Sequence, residues 1–127
     1  MIDHVMIYIA DYSASRAFYD NSLALLGIKR LMTFDENNTA GYGDTIKPYF
    51  WISDKVNRGP EEEIGKGMHV AFSAPNQQAV DRWYETCLKF GGQDNGKPGL
   101  RSEYHPHYYA AFIIDPDGWR IEAVCHN

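Results

Sequence analysis

At 127 residues, 44% of them hydrophobic, the chain is long enough to bury a core and too apolar to stay disordered. A formal net charge of −5, with no cluster of Lys or Arg, argues against a nucleic-acid or anionic-membrane surface. The longest apolar runs, such as 110–114, fall far short of a bilayer, and the opening MIDHVMIYIA lacks the features of a signal peptide. Two cysteines, Cys87 and Cys125, read as reduced, packed thiols of a cytoplasmic protein.

Residues 2–9 form the first predicted strand. Its period of two puts Val5, Ile7 and Ile9 on one aliphatic face and His4, Met6 and Tyr8 on the other. A helix follows from about Ser13, an N-cap type of residue, and ends at Gly27. Residues 28–34 read as a strand, 35–44 (DENNTAGYGD) as a polar turn region and 48–52 (PYFWI) as another strand. The stretch 53–67 is polar and acidic and reads as a connection, with Glu61, Glu62 and Glu63 a solvated charge run.

A second strand and helix begin at Met68. Val70 and Phe72 alternate with His69, Ala71 and Ser73, and Asn76 is the predicted N-cap. Val80, Trp83, Tyr84, Cys87 and Leu88 recur at steps of three and four and form one predicted buried stripe. A Gly/Pro-rich loop at 91–99 leads to YHPHYY at 104–109. Strands at 108–114 and 119–125 then flank Asp-Pro-Asp-Gly, a strong hairpin signal.

The two halves resemble each other. Shifted by 65 positions, His4 lies on His69, Val5 on Val70, Ala14 on Ala79, Tyr19 on Tyr84, Leu23 on Leu88 and Gly27 on Gly92. These six identities in 24 positions exceed the one or two that average residue usage gives by accident, about, and point to a tandem duplication. Each copy opens with a histidine on its less aliphatic face. A carboxylate, Glu122, stands between Ile121 and Ala123 in the closing strand, where a charge is unusual. Read plainly, it faces water on an edge strand beside Arg120. Read with the duplication, His4, His69 and Glu122 converge as two imidazoles and one carboxylate, a three-ligand set with open positions for a divalent metal. In the tyrosine- and histidine-rich stretch, His105, His107 or Tyr108 can move a proton beside a bound substrate, and Arg101 can hold an anion. The alternative is an ordinary loop. His126, next to the C-terminus, reads as structural or disordered.

These motifs together resemble the vicinal oxygen chelate superfamily of glyoxalase I, bleomycin- and fosfomycin-resistance proteins and extradiol dioxygenases. The resemblance is carried by His4, by Asp11-x3-Ser15-x2-Phe18-Tyr19-x3-Leu23 leading to Gly27, by Gly67-x-His69-Val-Ala-Phe72 and by Asp115-Pro-Asp-Gly-x-x-Ile121-Glu122. It implies an α+β protein of two tandem βαβββ modules (1–53 and 67–127, linker 54–66) whose curved mixed sheets form a metal-binding cup. It also implies a metal set of His4, His69 and Glu122 holding Zn, Ni, Mn, Fe or Co. The expected function is a metal-dependent, glyoxalase-like lyase, isomerase or transferase acting on a small oxygen-chelating substrate, with glutathione or another thiol as a candidate partner, in a homodimer. The alternatives are a ligand-sequestering protein of the bleomycin-resistance type or a small dioxygenase. In glyoxalase I each module ends in a ligand carboxylate. Laying PYFWIS on RIEAVC puts Phe50 opposite Glu122, so the first-module carboxylate is missing, and a three-ligand set resembles that of the fosfomycin-modifying thiol transferases or the extradiol enzymes.

Overall fold

The structure, a computed structural model, describes residues 1–54 and 68–126. The acidic run at 61–63 and the rest of the linker after Asp54 lie outside the described residues. The first module comprises β1 (Val5–Tyr8), α1 (Tyr12–Ala24), β2 (Lys29–Phe34), a short 3₁₀ turn (Asp35–Asn37), β3 (Thr39–Gly43) and β4 (Phe50–Ser53). The second comprises β5 (His69–Ser73), α2 (Gln77–Lys89), β6 (Gln93–Leu100), β7 (Tyr109–Ile114) and β8 (Arg120–Cys125). Each module builds one mixed four-stranded sheet, ordered β1-β4-β3-β2 and β5-β8-β7-β6. This is the tandem βαβββ arrangement expected from the sequence. The two sheets keep separate hydrogen-bond ladders and do not close on each other. Among the described residues, no helix is long and apolar enough to cross a membrane.

Alternation works as elementary strand geometry requires. Ile7 and Ile9 are buried under the helices, while His4 and Met6 are exposed on the opposite side. Side chains from both modules form one core, with Phe18, Tyr19, Phe50 and Ile52 from the first and Phe72, Trp83, Ile113 and Ile121 from the second. Phe50 meets Phe72 edge to face at 5.1 Å between ring centroids, the favoured geometry for an aromatic pair. Asn76 caps α2 as expected, accepting from the Ala79 amide. The cap of α1 is Asp11 rather than Ser13, because its carboxylate accepts from the Ala14 amide and satisfies an end donor. Leu88 leaves the buried stripe and is exposed, while Cys87 beside it is buried.

Two strands replace predicted loops. The turn region 35–44 contains β3, in which Ala40 and Tyr42 alternate into the core while Gly41 and Gly43 hide the pattern. The Gly/Pro-rich loop contains β6, an edge strand with register shifts on either side of Gly96. An edge position tolerates Pro98 and the positive φ of Gly96.

The turn at 115–118 also joins the modules. Asp115 accepts from the Tyr19 hydroxyl of α1 at 2.6 Å and from the backbone amides of Asp117 and Trp119. Asp117 accepts from the Ala10 amide and the Ser15 hydroxyl, and the Trp119 indole N–H donates to the Tyr8 carbonyl at 2.6 Å. Burial pushes the Asp115 carboxyl up to about 6, against the hydrogen bonds that favour its charged form.

Candidate active site

Strand pairing places Glu122 between Ala71 of β5 and Phe112 of β7, on the face opposite α2. β8 is an interior strand, so the water-facing reading of Glu122 does not hold. The residue is 1% exposed. A buried carboxylate needs donors, and two flank it. His69 Nε2 lies 3.2 Å from Oε1, and the Tyr108 hydroxyl donates to Oε2. The small side chain of Ala71 in the neighbouring row leaves this face open beside His69, whose ring is half exposed. Burial, and then the bond to Glu122, pushes the Tyr108 hydroxyl up to about 12, so it stays a proton donor at neutral pH.

Tyr108 and Tyr109 go to opposite sides, as neighbours in an extended chain must. Tyr109 donates to Asp81 of α2 at 2.6 Å and is a packing residue. The loop before them is tied by the Arg101 amide bonding the Tyr108 carbonyl at 2.7 Å. The Arg101 guanidinium lies 5.4 Å from the centroid of Phe112, the register neighbour of Glu122, and donates to the Lys97 carbonyl. It is thus a cation set beside the site row. His107 and His105 are exposed, and the His107 amide donates to His105 Nδ1 at 3.2 Å. His105 is connected to Tyr108 through His126, whose ring stands 5.7 Å from one and 5.2 Å from the other. The sequence alone implies a structural or disordered His126. Its contact with Tyr108 arises only when β8 carries the chain past the loop.

His4 directly precedes β1 of the other sheet. Its Nδ1 is 2.7 Å from Asp3 Oδ1, and Asp3 Oδ2 is 2.5 Å from Lys47 Nζ. A cavity of about 250 Å³ bounded by His4, Val5 and Phe50 on one side and Val70, Ala71 and Phe72 on the other marks the seam between the modules. The structure therefore brings His69, Glu122 and Tyr108 together and sets His4 at that seam. Among the described residues, no three His, Cys, Asp or Glu side chains are grouped to hold a metal ion.

Pairing also corrects the alignment of the two closing strands. Met6 pairs with Trp51 as Ala71 pairs with Glu122, so Trp51 and not Phe50 stands at the position of Glu122. Phe50 faces the core, as Ile121 does. The cross-sheet row Met6–Trp51–Gly41–Met32 in the first module corresponds to Ala71–Glu122–Phe112–Gly96 in the second. Neither Trp nor Phe can ligate a metal, so the absence of a first-module carboxylate at that position stands.

Comparison with known proteins agrees with this architecture. A glyoxalase/bleomycin resistance protein from Albidiferax ferrireducens T118 superposes with a TM-score of 0.81 at 28% identity, covering 97% of each chain. A putative glyoxalase from Bacillus halodurans gives 0.70 at 25% identity, over 98% of this chain and 95% of its own. The genomically encoded fosfomycin resistance protein of Listeria monocytogenes gives 0.69 at 15% identity, over 100% and 93%, and shares the fold. No curated protein matches the chain. The sequence matches the Glyoxalase/Bleomycin resistance protein/Dioxygenase superfamily over residues 1–123, and the chain belongs to that superfamily.

Proposed function

We propose that the protein is a metal-dependent, glyoxalase-like enzyme whose chemistry takes place at His69 and Glu122 on a small oxygen-chelating substrate. The observation that carries this reading is the pairing of a half-exposed imidazole nitrogen with a buried carboxylate oxygen at 3.2 Å. Two ligands each about 2.0–2.2 Å from one ion lie about this far apart when adjacent. The donor types, imidazole and carboxylate, suit a divalent transition metal. The pair thus fits such an ion, and His4, at the seam cavity, is the third ligand of the proposal.

A divalent ion held there would supply Lewis acidity to a substrate oxygen. The chain's own groups prepare the place. Tyr108 holds one oxygen of Glu122 and so aims the other at His69, an outer contact of the kind that fixes a ligand's orientation. Tyr108 retains its proton at Oη and can offer it toward developing negative charge. Arg101 over Phe112 presents a planar cation for an anionic substrate group. His105 and His126 pack ring edge to ring face in a row that leads to Tyr108 and so line its approach.

A ligand-sequestering role is the second reading, favoured by a cavity of about 500 Å³ over the first sheet. Calorimetric titration with zinc, nickel, cobalt and manganese separates the two. The enzyme reading expects one ion per chain, weakened strongly by His69→Ala and by Glu122→Gln with the fold retained. Unchanged ion binding in both variants would rule the site out.

A further inference from the structure

The first sheet has turned the place of a ligand carboxylate into an aromatic floor. Trp51 occupies the position that Glu122 occupies in the second module, and its indole lies flat across β3. It can do so because residue 41 is glycine. A Cβ there would stand 2.7 Å from the ring, closer than carbon atoms approach. Phe34 runs parallel to the indole within 11°, with ring centroids 6.2 Å apart. Met6 and Met32, the register partners at either end of the row, each leave 45% of their surface open above it. The cavity bounded by these side chains measures about 500 Å³, and His4 and Lys47 stand at its rim.

We propose that this cavity receives the planar, unsaturated part of a small-molecule ligand, stacked on Trp51 between the Met6 and Met32 thioethers. The volume falls within the range of small-molecule pockets, about 300–1,000 Å³. A rigid indole face attracts another π-system, and thioethers add favourable contacts to the edge of an aromatic ring. A flexible aliphatic chain would gain neither. Because His4 borders this cavity and the seam cavity alike, a ligand seated here extends toward the proposed metal position. The inference rests on the proposed enzyme reading for its direction toward the metal, but the stacking itself requires no metal.

The test is carried out on the full chain without added metal, using naphthalene-2-carboxylate as probe and its saturated decalin counterpart as control. Methyl resonances of ¹³C-methyl methionine report ring currents directly. The expected result is saturable downfield movement of the Met6 and Met32 methyls, which meet the edge of the ligand ring, with Met68 unmoved, at least tenfold weaker binding of the decalin, and loss of the effect in Trp51→Leu. Gly41→Ala, which displaces the indole, and Met32→Ala, on an exposed side chain, provide variants that do not both depend on the core. Equal affinity for the saturated ring, or no saturable shift up to the probe's solubility, overturns the proposal. Shifts that follow protein concentration instead, with a parallel rise in sedimenting mass, would show that a second copy covers this face and would also overturn it. A failed stacking test with intact ion binding at His69 and Glu122 would remove this inference alone.

Discussion

Trp51 and Glu122 hold the same place in the two modules: each pairs across to the first strand of its own sheet, opposite Met6 and Ala71. One side chain can ligate a metal and accept a proton, and the other can do neither. The modules therefore differ in what this place can do chemically, and the consequences are open to measurement.

The first concerns glyoxalase I chemistry. Moving a proton between adjacent carbons requires a base at the metal, and a positioned base contributes a factor of about 10²–10⁴. With Trp51 in the first-module position, isomerisation of the methylglyoxal–glutathione adduct should be negligible with zinc, nickel, cobalt or manganese. Thioester formation is the readout. Efficient turnover, abolished in Glu122→Gln, would show that another group supplies the base.

Tyr108 is predicted to act through Glu122. Removing its hydroxyl leaves a buried carboxylate oxygen without that donor, at a cost of about 1–3 kcal/mol. Tyr108→Phe should therefore lower the unfolding midpoint in urea, and loss of the orienting contact should weaken ion binding by about 10–100-fold. An unchanged ion affinity would confine Tyr108 to packing.

Asp115 gives the fold a pH dependence. Its carboxyl, ordinarily near 3.8, is raised to about 6 by burial, so the folded chain holds this proton more tightly than the unfolded chain. The stabilisation is full below about pH 4 and is lost as pH rises through about 6, amounting to about 3 kcal/mol. Asp115→Asn can still accept from the Asp117 and Trp119 amides and meet the Tyr19 hydroxyl. Between pH 4 and 7 the variant should gain on the parent in urea-unfolding stability. Parallel curves would mean that Asp115 titrates near its ordinary value.

Asp117 is predicted to hold the modules together. It accepts from the Ala10 amide and the Ser15 hydroxyl across the two halves. Asp117→Ala should lower stability by about 1–3 kcal/mol and speed hydrogen exchange at the Ala10 amide more than at Ile52. Equal exchange changes at both would indicate a global effect instead.

The legibility of the fold varied with the physics behind each element. Val5, Ile7 and Ile9 announced a half-buried strand because alternation follows from strand geometry alone. The α2 stripe was legible for the same reason, apart from Leu88, whose burial depends on what lies opposite. β3 and β6 were hidden because glycines at 41, 43, 96 and 99 remove the side chains that make alternation visible. His69 beside Glu122 was suggested by the duplicated histidine, but the pairing of Trp51 with Met6 was not, since a one-residue shift separates it from Phe50. His126 and the clamp at 115–118 became visible only in three dimensions. Both depend on contacts between segments whose separation no local pattern encodes.

The most direct test is anomalous diffraction from crystals soaked in zinc or cobalt. The account predicts a peak bound by His69 Nε2 and Glu122 Oε1 at about 2.0–2.3 Å, with His4 completing the set. A peak elsewhere, with no anomalous density within bonding distance of both His69 Nε2 and Glu122 Oε1, would contradict it.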